Sequence, residues 1–286
     1  MQFLGTAAAD LMPGPFCKCP LCEDARRDPS RARLRSLFLL DAENLIDFGP
    51  DLPAAAIRHN TDLTGIRNVF LTHTHEDHFE PSNIGLIRMS RTRRDIPITM
   101  YCSEQAYATL QRRYDLLKND FPGMDAIDGT REGLLIAKPV KVGETFCAGG
   151  YEVLPVLTTH RANANERAIN YRFKKNGRSL LYACDTGYYI PESLETLRGS
   201  KLDTLIMEGT WGNETTKPED SHMHAYSFVK QLDIFAEYDI IRPDTAVYCT
   251  HINHRHDWNH EAYQHFFDEA TPYGVTVAYD GLKLDF

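Results

Sequence analysis

The stretch Leu71-Thr72-His73-Thr74-His75-Glu76-Asp77-His78-Phe79, LTHTHEDHF, decides how this chain reads. Three imidazoles and two carboxylates fall within six residues, directly behind the apolar, β-branched run Val69–Thr72. His73 and His75 are two apart, so in an extended segment they share a face. Asp77 and His78 then turn toward a different point, and one short loop can serve two neighbouring cations. Imidazole and carboxylate together suit Zn²⁺, Mn²⁺ or Fe²⁺. Thr72 and Thr74 are small enough to hydrogen-bond the backbone or the ligands themselves. Glu76 is expected to face solvent and is not counted as a ligand.

Working outward, four strand-like runs end in a side chain that can bind metal. NVFLTH ends at His73, VLPVLTTH at His160, LLYACD at Asp185 and AVYCTH at His251. Ligands at strand ends sit on a rigid sheet and can converge on one rim. A lone histidine after a strand reads as a hydrogen-bonded surface or core residue; four such ends beside HTHEDH read as a site. Further short apolar runs occur at Asn44–Ile46 and Leu205–Met207. Between the runs lie helical patterns: one capped by Ser103 with Tyr107, Leu110, Tyr114 and Leu117 on one face, one over Ala225–Tyr238 and one over Asn259–Ala270. Strands mixed with helices throughout predict an α/β fold. With no internal repeat, low-complexity tract or linker, one domain over residues 1–286 is expected.

The net charge of −9 argues against a long nucleic acid as partner. Two basic stretches, Arg26–Arg35 and Arg88–Arg94, read as solvated charge or as a local patch drawing in a phosphorylated substrate. No apolar run is long enough to span a membrane. MQFLGTAAAD has no basic start, so no secretory signal is read and a cytoplasmic location is expected. The seven cysteines then read as thiols or metal ligands and not as a disulfide framework. Cys17, Cys19 and Cys22 form C-x-C-x₂-C, a spacing suited to structural zinc but one ligand short of a tetrahedron. CTHINHRH offers His254 or His256 as the fourth. Cys102, Cys147, Cys184 and Cys249 read as small core residues, and His59, His256, His260 and His265 as surface groups.

H-x-H-x-D-H behind a strand, LIDFG with Asp47 before it, and His160, Asp185 and His251 following in order resemble the metallo-β-lactamase superfamily across nearly the whole chain. The resemblance implies an αβ/βα sandwich of two mixed sheets flanked by helices. It implies one metal held by His73, His75 and His160, a second by Asp77, His78 and His251, and Asp185 bridging both. The water between the two cations would be the nucleophile, with Asp77 a catalytic residue through the second metal. The LGT start, C-x-C-x₂-C and THINH together resemble the PhnP-like phosphodiesterase branch. That likeness implies His254 as fourth zinc ligand and a homodimer. In related phosphodiesterases a histidine before a helix is thought to protonate the leaving group. In EDSHMHAYS, His222 aligns best with it; the alternative is a surface histidine at a helix N-terminus. His224 orients its neighbour or has no role. Arg161 and Arg167 are candidates to hold a substrate phosphate, or else surface ion-pair partners. The spacing between His78 and His160 is long for that branch, so residues of about 85–135 are read as an insertion.

The expected function is a dinuclear metal-dependent phosphodiesterase acting on a small cyclic phosphate or nucleotide-like diester. Two alternatives stand beside it: a lactonase or thioesterase on the same metals, and a non-catalytic PqqB-like carrier, which shares the cysteine motif. The intact set of metal-ligating residues favours catalysis over the carrier.

Overall fold

A computed structural model describes residues 1–91, 97–117, 134–217 and 220–286. β1 (Gln2–Gly5), β2 (Leu37–Asp41), β3 (Asn44–Ile46), β4 (Asn68–Phe70), β5 (Ile98–Ser103) and β6 (Leu135–Val140) form one sheet whose spatial order is the chain order. β1 to β3 pair antiparallel and β3 to β6 parallel. β7 (Phe146–Ala148), β8 (Tyr151–Asn163), β9 (Glu166–Lys175), β10 (Arg178–Ala183), β11 (Leu202–Glu208), β12 (Ile241–Thr250) and β13 (Val275–Val277) form the second, again in chain order. It is antiparallel to β10 and parallel from there on.

Three apolar clusters define the layers. Phe3, Phe38 and Phe70 of the first sheet meet Tyr171, Phe173 and Tyr182 of the second. The rings of Phe70 and Phe173 pack edge to face at 4.9 Å between centroids, an arrangement that adds to simple burial. The outer face of the first sheet is covered by α2 (Leu52–His59), α3 (Ser82–Met89) and α4 (Glu104–Leu117). The outer face of the second carries α5 (Pro191–Leu197), α6 (Ala225–Glu237) and α7 (His260–Ala270). The result is the αβ/βα sandwich expected. A further short helix, α1 (Pro20–Arg27), starts within the cysteine motif, with Cys19 at its N-cap and Cys22 in its first turn. Among the described residues no helix is long and apolar enough to cross a membrane.

The parallel strands place the site. β3, β4, β10, β11 and β12 point their C-terminal ends at one rim, where ligands of parallel sheets gather. Three rim residues leave their strands in left-handed backbone: Asp47 at φ 65°, Asp185 at φ 58° and His251 at φ 57°. Each costs about 1–2 kcal/mol against the ordinary basin, a cost that turns the side chain across the sheet end.

Several sequence expectations need correction. His160 does not end its strand: β8 runs on to Asn163, its register against β9 shifting between Leu157 and Arg161. Cys147 is exposed, because it sits on the edge strand β7, whereas Cys102, Cys184 and Cys249 are buried as expected. Tyr107 and Leu110 face the core; the side chains of Tyr114 and Leu117 lie outside the described residues. Of the stretch read as an insertion, β5 and α4 belong to the first sheet and its helical cover, and residues 92–96 and 118–133 lie outside the described residues. The same holds for residues 92–94 of the basic stretch Arg88–Arg94. In Arg26–Arg35 the charges are largely consumed locally: Arg26 pairs with Glu23, Arg31 with Asp24, Asp28 and Glu261, and Arg35 with Asp51.

Candidate metal centre

The seven side chains read as catalytic ligands come together at the rim. His73 Nε2 lies 2.9 Å and His160 Nε2 3.1 Å from His75 Nδ1. His78 Nε2 lies 2.8 Å from Asp185 Oδ2 and 3.2 Å from Asp77 Oδ2. His251 Nε2 is 3.3 Å from the same Asp185 oxygen and 3.9 Å from Asp77 Oδ2. Two triads, His73–His75–His160 and Asp77–His78–His251, each have their ligand atoms within 4.8 Å of one another, and Asp185 reaches His73 and His78 within the same limit.

What the far side of each ring does settles what the near side can offer. Asp47 Oδ2 accepts from His78 Nδ1–H at 2.7 Å, leaving a lone pair on Nε2. The Thr72 hydroxyl donates to Asp47 Oδ1 at 2.9 Å, so toward His73 Nδ1, at 3.0 Å, it can only accept. Thr210 donates to Glu208 and therefore accepts from His251 Nδ1–H at 2.8 Å. The Ser221 carbonyl accepts from His160 Nδ1–H at 3.2 Å. Four imidazoles are thus held as the tautomer whose Nε2 lone pair faces the centre, the device by which metal-binding histidines are oriented. His78 Nε2, His251 Nε2 and Asp185 Oδ2 are buried without a hydrogen-bond partner of acceptable geometry. Converging lone pairs and an orphaned carboxylate oxygen fit divalent cations and leave one another unsatisfied otherwise.

The electrostatics agree. Burial pushes His73 well below the usual imidazole range and His160 down to about 4, so both are neutral, the ligand form. For His78 burial acts in the same direction, but Asp77, Asp185 and Asp47 outweigh it and raise the ring's affinity for positive charge, which a metal ion at Nε2 would satisfy in place of a second proton. That concentration of negative charge is what a cation would neutralise.

Glu166 and Glu208 were missed in the sequence. Glu166, fully buried, takes the Thr74 backbone N–H at 2.8 Å and its hydroxyl at 2.7 Å, pinning the residue between His73 and His75. Glu208, also fully buried, accepts from the backbone N–H of Thr186 and Met223 and from His222 Nδ1–H at 3.0 Å. It terminates β11, LDTLIME, and so obeys the strand-end pattern that singled out the ligands. Burial alone would lower the pKa of His222; the Glu208 carboxylate more than offsets this, and the imidazole is pushed up to about 9. The His222 ring lies parallel to that of His251 at 5.7 Å and borders a cleft of about 170 Å³. His75, Asp77, His160, Asp185 and His251 line the same cleft, with Trp211 and Arg255 at its wall.

The other candidates lie elsewhere. His224 caps α6, its Nδ1 accepting from Ser227 N–H at 3.1 Å. Arg161 and Arg167 do not line the cleft; Arg167 donates to the Thr158 carbonyl and braces the strand that carries His160. Glu76 is solvent-facing, as expected. Cys17, Cys19, Cys22 and His254 form a separate cluster, with His254 Nδ1 3.6 Å from both Cys17 and Cys19 Sγ. The structure thus favours His254 over His256 as the fourth member. Burial pushes the Cys22 thiol up to about 12, a state a bound cation would reverse. His256, expected at the surface, is buried, because its ring packs against Gly212.

A family model described as the Beta-lactamase superfamily domain matches residues 44–252. A curated relative, coenzyme PQQ synthesis protein B of Acinetobacter baumannii (strain SDF), is 24% identical over all of this chain and 99% of its own length. A diphosphatase from the PhnP family superposes on the whole chain and 96% of its own, at 24% identity and TM-score 0.74. Zn²⁺-bound PqqB from Methylobacterium extorquens does so over the whole chain and 99% of its own, at 20% identity and TM-score 0.72.

Proposed function

The chain belongs to the β-lactamase superfamily, and from that premise we propose that it is a metal-dependent phosphodiesterase acting on a small diester. His73, His75 and His160 would hold one divalent cation, Asp77, His78 and His251 a second, with Asp185 between them. Bound there, two such cations supply Lewis acidity and lower the pKa of a water molecule. Zn²⁺, Mn²⁺ and Fe²⁺ all suit the donor set.

The observation that carries the proposal is the His222–Glu208 pair, a proton donor for a poor leaving group, and the PhnP-family diphosphatase that superposes on the whole chain favours phosphorus over carbon. Glu208 holds Nδ1 of His222, which fixes the ring and keeps a proton available beside the ligand cluster. Expelling an alkoxide requires such a donor. Trp211 lines the same cleft, as does Arg255, whose guanidinium pairs with Asp10 through Nε at 2.7 Å and a terminal nitrogen at 2.9 Å and keeps its remaining N–H groups for a phosphoryl oxygen. The cleft's small volume favours a small diester over a polymer. After Mn²⁺ loading the protein should hydrolyse bis(p-nitrophenyl) phosphate in preference to a lactone or thioester. Turnover no greater than that of a His75→Ala control would refute the proposal; preference for the carbonyl substrates would move the activity to esters.

A second reading rests on the relative named coenzyme PQQ synthesis protein B, which matches the full chain. On that reading the fold serves cofactor biosynthesis, with or without turnover. Hydrolytic inactivity in a protein that carries its full complement of metal would favour it. The structural zinc, a homodimeric state and a cytoplasmic location belong to the proposal as well.

A further inference from the structure

A cavity lies behind the loop that carries His251 and His254. It encloses about 440 Å³, and Arg33, Asn253, His256, Trp258, His260 and Tyr279 border it. We propose that this cavity is a second ligand site, for a small organic anion: an aromatic body bearing a carboxylate or a phosphate.

Two buried side chains of its lining, His256 and Arg33, lack an anionic acceptor. His256 is 8% exposed, and its Nδ1 accepts from Trp258 N–H at 3.1 Å. The ring's proton therefore sits on Nε2, which is buried and has no partner. An N–H left in that state costs about 1–3 kcal/mol until an acceptor arrives. Arg33 is 5% exposed and donates only to neutral groups: Thr6 Oγ1 at 2.7 Å, the Ala278 carbonyl and His260 Nδ1 at 3.1 Å. Among the described residues no carboxylate pairs with it. The nearby buried carboxylate, Asp280, is taken by Arg58 at 3.2 Å and by the Thr6 hydroxyl, leaving two guanidinium charges around one carboxylate.

The rim is acidic, three carboxylates sharing one guanidinium, but it is open to solvent. Asp24, Asp28 and Glu261 all pair with Arg31, and their side chains are 43%, 51% and 59% exposed. Solvent screens such groups to a fraction of a kcal/mol, whereas Arg33 and His256 are more than nine-tenths buried, where charge acts at lower dielectric. Trp258 and Tyr279 give a planar body its aromatic wall. Asn253 borders both this cavity and the catalytic cleft. The His256 ring rests on Gly212, beside Trp211, so closely that a Cβ there would fall 2.5 Å from Cγ. A ligand in the cavity would bear on the loop that holds His251.

Trp211 and Trp258 are the only tryptophans of the chain, so a Trp211→Phe protein reports on the cavity through Trp258 fluorescence. Titration with benzoate and phenyl phosphate should give saturable changes at micromolar to millimolar concentration, with neutral benzyl alcohol at least about tenfold weaker. Whichever anion binds tighter identifies the headgroup. Adding Ala32→Phe, which fills the cavity from a half-buried position, should abolish the response while metal content and Tm stay near those of the parent. Arg33→Met should weaken the anions and not the alcohol. Adding His75→Ala should leave binding intact, which separates the cavity from the metal centre and this inference from the catalytic one. Equal binding of alcohol and anions, no saturation, persistence in Ala32→Phe or loss in His75→Ala would each overturn the proposal.

Discussion

At the scale of single residues, the centre depends as much on what stands behind the imidazoles as on the imidazoles. Asp47 binds the Thr72 backbone and hydroxyl and His78 Nδ1 together, so it orients two of the five rings. Replacing it with Asn should lower metal affinity about 10- to 100-fold, as is usual when such a support is lost, measured by competition with a chromophoric chelator. On the proposed function, His222 would serve the chemistry and not the binding of metal. His222→Ala should slow hydrolysis of an alkyl phosphodiester by about 10²–10⁴-fold, the ordinary worth of a general acid. The same substitution should hardly affect bis(p-nitrophenyl) phosphate, whose leaving group departs without a proton. Equal losses on both substrates would mean that His222 acts on the metals or the fold instead. Beyond LIDFG and the strand-end position of Glu208, none of this partnering was legible in the sequence, because Glu208 and Glu166 meet their partners only across long stretches of chain.

At the scale of elements, the ligand loop is held by contacts that leave no space. The backbone N–H of Phe48 donates to the His78 carbonyl at 2.7 Å, and Gly49 lies under the Asp77 carbonyl, where an added Cβ would stand 2.2 Å from the oxygen. Gly49→Ala must push Asp77 and His78 outward. It should cost about 2 kcal/mol or more and reduce bound metal by one ion, read from Tm and metal analysis. Helix starts were more legible: Asn259 caps α7 through Ala262 N–H, and Ser103 accepts from Ala106 N–H at the start of α4. The end of β8 was not, because the pairing with β9 that extends it past His160 depends on a partner strand and not on local pattern.

At the scale of the whole molecule, two clusters of potential metal ligands share one loop, with His251 in the first and His254 in the second. The fully loaded protein should contain about three ions per chain. Cys22→Ser should bring this to about two and lower Tm, because the segment around Pro20–Arg27 loses its tether, while the catalytic cluster keeps its metal. Loss of all metal in that variant would show that the two clusters form a single cooperative unit.

The order of ligand types along the chain, the strand runs that end in them and the cysteine spacing determined the superfamily, the sandwich and the identity of the converging residues. These are local patterns, written wherever a rigid strand must present a donor. Which nitrogen of each ring faces inward, which carboxylate holds His222, which histidine joins the cysteines and where an unclaimed cavity lies were decided by tertiary structure alone. Each depends on a hydrogen-bond partner or a wall supplied by a distant segment, and only packing two sheets against each other brings those segments within reach.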